Sequence, residues 1–232
     1  METIHIQSFV SAPPAAVWRQ LVERPDIVLD SLPIQAWPAQ RQEAPPTRLQ
    51  VRWPFSSGGT ATTTVAISLA EVSGGTRIDL KHEGWHEEPG WQDAIAGHFA
   101  GWLQALAALG LLVESGKDPR AASAALAGQE RYFASAEIPA GTDAVFRALA
   151  DREVRARWSD GALDGAELTD SLEGRFLRFT LGAGQAGAGE LVVILRRTPR
   201  GTHCALAEYG VTDRSASGRW PRLLERLTRF LR

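Results

Sequence analysis

The sequence predicts an α+β protein in which one layered unit occurs twice. Three pairs of segments carry this reading. FVSAPPAAVWRQL, from Phe9, is matched by EIPAGTDAVFRAL, from Glu137, with Ala12, Val17, Trp18 and Leu21 answering to Ala140, Val145, Phe146 and Leu149 at one constant offset. VAISLAEVSGGTRIDLKHEG is matched without a gap by LVVILRRTPRGTHCALAEYG, and GWLQALAALGLLVESG by GRWPRLLERLTRFLR. The pairs come in the same order in both halves, which is the mark of an internal duplication.

Each pair fixes one part of the unit. The first reads as the end of a strand, a Pro-containing turn and a short helix with apolar residues four apart. The second reads as strand, tight turn ending in Gly-Thr, strand. The third is an amphipathic helix led by a Trp. In the first half it runs from about Gly90 to Ser115, with Trp91, Ile95, Phe99, Trp102, Leu106 and Leu109 recurring at helical spacing, and Gly116 and Pro119 stop it. Hairpins followed by one long apolar-faced helix give an antiparallel sheet with a helix across one face. The expected division is a first domain at 1–117, an Ala-rich linker at 118–130 and a second domain at 131–232.

Composition limits the function. The chain has 232 residues, 44% hydrophobic and 22% charged, which suits one large folded domain or two of about 100 residues. No apolar run is expected to approach the roughly 18 residues needed to cross a bilayer. METIHIQSFV alternates apolar and polar residues and lacks a basic stretch, so it does not read as a signal peptide. Cys204 is the only cysteine, so no intrachain disulfide can form, and a reducing cytoplasm is expected. A net charge of −2 argues against general nucleic-acid binding. In the last helix Arg222, Arg226 and Arg229 lie opposite Leu223, Leu227 and Leu231. That reads as the solvated face of a surface helix, with an acidic partner or a membrane surface as the alternative.

The layout resembles the helix-grip superfamily (START-related, SRPBCC), in which a curved antiparallel sheet wraps a long C-terminal helix around a cavity. Within it the chain is similar to bacterial proteins like the C-terminal domain of the heat-shock-protein-90 ATPase activator. SAPPAAVWRQL, GGTRIDLKHEGW and HFAGWLQALAALGLLVESG carry the likeness, over about 115 residues of the first half. The second half keeps the order of elements but has EYGV in place of HEGW, a degenerate copy. The resemblance implies two helix-grip domains and brings no catalytic motif with it.

Two motifs invite other readings. HEGWH, from His82 to His86, spells H-E-x-x-H, the zinc-protease signature. That site needs both His on one helical face at about 2.0–2.1 Å from one metal. TRIDLK before it has strand alternation, and Gly84 and Pro89 oppose a helix. On a strand the two His would stand roughly 13 Å apart, so no metal is expected. GAGQAG, from Gly182 to Gly187, spells G-x-G-x-x-G, but the strand-like LVVIL follows where a dinucleotide site needs a helix. No nucleotide or other cofactor is expected.

The candidate site residues therefore come from the pocket a helix-grip unit would enclose. Ile78, Leu80 and His82 share one strand face, and His82 is expected near the strand's end, partly wet, where it could meet the polar end of a ligand. His98 lies one turn before Trp102 on the long helix. Trp37, Trp53, Trp85 and Trp102, with Trp91, could cover the body of a flat apolar ligand. A hydrogen-bonded core histidine and packed core tryptophans are the plainer readings of the same residues. Glu208 occupies the position of His82 in the second half. Cys204 alternates with Leu206 on a buried face and reads as packing.

The leading expectation is binding of a small apolar or aromatic ligand in the first domain, with no identified catalytic residue. The rivals are a cyclase- or hydrolase-like enzyme with His82 or His98 as base, and a co-chaperone-like module for a protein partner.

Overall fold

The computed structural model describes residues 3–24, 41–54, 62–85, 91–119, 131–182, 189–210 and 218–232, with the side chains of Arg41, Trp53, Pro54, Asp93 and Arg131 outside the description. The chain divides into two compact units, Met1–Asp118 and Pro119–Arg232. The first contains β1 (Ile4–Val10), α1 (Pro14–Glu23), β2 (Arg41–Ala44), β3 (Arg48–Pro54), β4 (Thr62–Val72), β5 (Gly75–Glu83) and α2 (Trp91–Ser115). The second contains β6 (Arg131–Ile138), α3 (Thr142–Ala150), α4 (Arg152–Ser159), β7 (Glu167–Leu172), β8 (Phe176–Leu181), β9 (Gly189–Thr198), β10 (Gly201–Tyr209) and α5 (Arg219–Phe230).

Both sheets are five-stranded and antiparallel, in the orders β1-β5-β4-β3-β2 and β6-β10-β9-β8-β7. The two orders are one permutation applied twice. In each unit the last strand lies between the first strand and its hairpin partner, and the last helix packs back on the first strand. This is the helix-grip arrangement, and it occurs in tandem.

The duplication extends to single bonds. Thr76 Oγ1 donates to the Ala12 carbonyl at 2.6 Å, and Thr202 Oγ1 donates to the Ala140 carbonyl at 2.7 Å. Each threonine follows a glycine that admits no side chain. A Cβ on Gly75 would stand 2.1 Å from the Val10 carbonyl oxygen, and one on Gly201 would stand 2.2 Å from that of Ile138. The Gly-Thr pair thus has a physical purpose. Glycine lets the end of the first strand come close, and threonine holds the turn that follows it.

Alternation sets the interior face of each sheet. In the first unit Ile4 and Ile6 of β1, Val65, Ile67 and Leu69 of β4, and Ile78, Leu80 and His82 of β5 are buried. In the second, Leu177, Phe179, Leu191, Val193, Cys204 and Leu206 join Trp220, Leu223 and Leu227 of α5 in one core. Burial of this apolar area is the main force closing the helix onto the sheet.

One sequence expectation needs correction here. Ala94–Ser115 of α2 is long and apolar enough, by length and composition, to cross a membrane. No Lys, Arg, Asp or Glu occurs between Ala94 and Val113, so a membrane-length apolar run does exist. In the fold this helix packs against β1 and α1, with Trp102, Leu106 and Leu109 buried. A gripped core helix accounts for the composition.

Candidate functional site

Five described rings of the first unit gather at the junction of β5 and α2. His82 is the last inward residue of β5, paired across the sheet with Ile4 on β1 and Val65 on β4. Glu83 follows on the outer side, and Gly84, at φ +89°, turns the chain out of the strand. A helix through HEGWH is thereby excluded, while His86 lies outside the described residues. Likewise the segment after GAGQAG is strand β9, although residues 183–187 of that motif lie outside the description.

His82 differs from the expectation of a partly wet ring. It is 0% exposed, because α2 crosses the end of β5 and lays Trp102 and His98 over it. Trp102 donates its indole N–H to His82 Nδ1 at 3.0 Å. An indole nitrogen can only donate, so Nδ1 must be the unprotonated nitrogen. The ring proton then sits on Nε2, which donates to Thr63 Oγ1 at 2.7 Å. Trp85 donates to the His82 backbone carbonyl at 3.0 Å. Burial pushes the His82 pKa down to about 3, with the His98 charge a smaller cause. The ring is therefore neutral at pH 7, in agreement with its hydrogen bonds.

His98 is half-buried one turn before Trp102. Its ring contacts those of His82 and Trp85, with centroids 5.3 and 5.1 Å away. Nδ1 lies 2.8 Å from the Ala94 carbonyl, one helical turn back, so Nδ1–H donates, which leaves Nε2 as the unprotonated nitrogen of the neutral ring. Burial lowers the pKa of this ring as well, opposed by that backbone bond. Trp91 stands edge-on to Trp85 at 5.5 Å. The result is a continuous group of five rings: His82, Trp85, Trp91, His98 and Trp102.

The other candidates are placed as follows. Leu80 is buried two residues before His82, opposite Ile6 and Ile67. Trp53 lies on β3 opposite Thr63; its side chain, and all of Trp37, lie outside the described residues. Glu208 lies at the matching place in the second unit, and there too the last strand meets an indole from the last helix. Trp220 donates to Glu208 Oε2 at 2.6 Å, and Arg219 pairs with Oε1. Cys204 is fully buried, its thiol pushed up to about 12 by burial.

Sequence reasoning missed two participants. Thr63 is an ordinary strand residue until the register sets it beside His82. Arg155, on α4, is buried, donates to the carbonyls of Leu149, Ala150 and Ala166, and lies over the Phe179 ring at 5.1 Å. It caps the C-terminal end of α3, where a cation is favoured. No described group of three or more His, Cys, Asp or Glu could hold a metal ion.

Fold and site together define a tandem of helix-grip units with an aromatic, imidazole-bearing interior in the first. Residues 41–114, within that unit, match the family model for Activator of Hsp90 ATPase homolog 1-like protein. A comparison with curated proteins gives no match. Among solved structures, DynU16, from the dynemicin biosynthetic locus, is 16% identical, with 100% of this chain and 96% of that one covered and a TM-score of 0.45. The di-domain ARO/CYC BexL from the BE-7585A biosynthetic pathway is 13% identical over 100% and 97% of the two chains, at 0.36. The Aha1 dimer from Colwellia psychrerythraea is 17% identical, covering 50% of this chain and 99% of that one, at 0.38.

Proposed function

We propose that the first unit binds a small apolar or aromatic molecule against the ring group at the β5–α2 junction. The observation that supports this is the gathering of Trp85, Trp91 and His98 beside a fully buried His82. Aromatic faces and edges suit a flat ring, while the half-buried His98 is the polar member nearest the surface. His82 enters this proposal as the residue that orients Trp102 and Trp85. The second unit serves as scaffold, its equivalent position closed by Arg219 and Trp220.

The test is a calorimetric titration of the full chain with 2-naphthol. One saturable site is expected, weakened about tenfold in Trp85→Ala, the scale of one lost aromatic contact, and unchanged in Trp220→Phe. Absence of saturable heat overturns the proposal.

An enzyme is the second reading, and one observation favours it. Burial favours the neutral form of His98, in which Nε2 is unprotonated, the form a general base requires. Incubation with an aromatic polyketide-type substrate, followed by mass spectrometry, would show conversion that His98→Gln abolishes; substrate recovered unchanged removes this reading. For the interaction-module reading, the exposed large apolar side chains among the described residues, Phe9, Phe99 and Phe230, sit on three different elements.

A further inference from the structure

The ring group has a definite polarity, and it follows from where its hydrogens point. Trp85 N–H goes to the His82 carbonyl, Trp102 N–H to His82 Nδ1, His82 Nε2–H to Thr63 and His98 Nδ1–H to Ala94. Each of these four donors is engaged within the protein. The geometry at His82 also forbids an imidazolium, since protonating Nδ1 would set two donors against each other.

Nor do the described residues at the end of β5 bring a cation to the ring group. Lys81 and Glu83 alternate outward on either side of His82 and are exposed. Arg41 belongs to the same cross-strand row as His82, at the far edge, following Val65 and Val51. Three strand spacings, about 14 Å, separate their backbones.

The second unit gives the contrast. At its equivalent position the acceptor is the carboxylate of Glu208, and the cation it requires is supplied by Arg219 of the helix. The repeat can therefore build a charged version of this junction, and the first unit has the uncharged one.

We infer that the site in the first unit takes uncharged aromatic molecules and rejects their carboxylates, because the N–H groups of Trp85, Trp102, His82 and His98 are all engaged within the protein. A carboxylate placed against these four rings would lose its hydration without receiving their donors or a counter-charge from the outward-facing Lys81. This inference rests on the ligand-binding reading above.

The test compares 2-naphthamide with 2-naphthoate at neutral pH, two molecules of nearly the same shape that differ in charge, with 2-naphthol as reference. Calorimetry on the full chain should show saturable binding of the amide and the naphthol, and binding of the naphthoate weaker by about tenfold or more. Equal affinity for amide and naphthoate overturns the inference while leaving ligand binding intact. Saturation by none of the three removes the ligand-binding reading and this inference with it. A second measurement uses His98→Arg, which adds a fixed cation at the half-buried ring; the preference for amide should shrink there, and an unchanged preference counts against the charge argument.

Discussion

The indole N–H of Trp102 is donated to His82 Nδ1 at 3.0 Å, and that of Trp220 to Glu208 Oε2 at 2.6 Å. One unit uses a neutral imidazole and the other a carboxylate, but both fasten the last helix to the last strand at the same position of the repeat. Such bonds are directional, so they fix how the helix is rotated on the sheet, whereas apolar packing alone is more tolerant of rotation.

Removing the donor in the first unit should be felt as an orphaned acceptor. Trp102→Phe keeps most of the ring's bulk and leaves His82 Nδ1 buried without its partner, at a cost of about 1–3 kcal/mol. Urea denaturation checks the single change. In a double-mutant cycle with His82→Leu, the combined loss should fall short of the sum, since the second change removes the orphan.

Acid should weaken the first unit. His82 takes a proton below about pH 6.5 in the unfolded chain, but only near about 3 when folded. Between these values the unfolded state binds more protons, so stability falls as pH falls and levels off below the lower one. His98 is also lowered by burial and contributes in the same sense, and His203 does so in the second unit. Melting temperature followed from pH 7 to pH 4 should decline, and His82→Gln should flatten part of that slope. A slope unchanged by His82→Gln would show that other groups carry it.

In the second unit the charge and the acceptor can be separated. Glu208→Gln keeps an acceptor for Trp220 but gives up the ion pair with the partly exposed Arg219, costing about 1 kcal/mol. Glu208→Leu removes the partners of both Arg219 and the buried Trp220 indole, and should cost about 3 kcal/mol. Chemical denaturation distinguishes the two variants, and equal losses would show that the charge alone matters.

The paired glycines make a steric prediction. Gly75→Ala or Gly201→Ala places a Cβ inside the contact distance of a backbone carbonyl, and each should lose about 2 kcal/mol or more. Gly97→Ala is the opposite case. That glycine lies within α2, and a Cβ added there would meet nothing within 4 Å, so alanine should stabilise by about 0.5–1 kcal/mol. Thermal denaturation of the three variants checks both signs.

Much of the fold could be read from the sequence because the repeat preserved what the backbone needs. Gly-Thr recurs where two strands meet, and strand alternation placed Ile78, Leu80 and His82 on one face. The equivalence of His82 and Glu208 was also legible, since the hairpins match without a gap. The bond from each to an indole was not. Trp102 lies 20 residues beyond His82, while Trp220 lies 12 beyond Glu208. Trp102 lies three turns into α2, whereas Trp220 is the second residue of α5, so a fixed offset does not pair the two tryptophans. Which way an indole points also depends on the rotation of the helix, a tertiary property that spacing does not contain. The burial of His82 was missed for the same reason, because alternation shows a residue's face but not what lies across it.

Cys204 has a practical consequence. A thiol reagent can reach this single, fully buried sulfur only when the second unit opens, and the first unit has no thiol to add to the signal. Six of the eight tryptophans lie before residue 103, so intrinsic fluorescence reports mainly on the other half. The chain thus carries two native reporters with little overlap. The rate of thiol labelling and the shift in emission can be followed in one sample, each timing the loosening of its own repeat without any added label on the other.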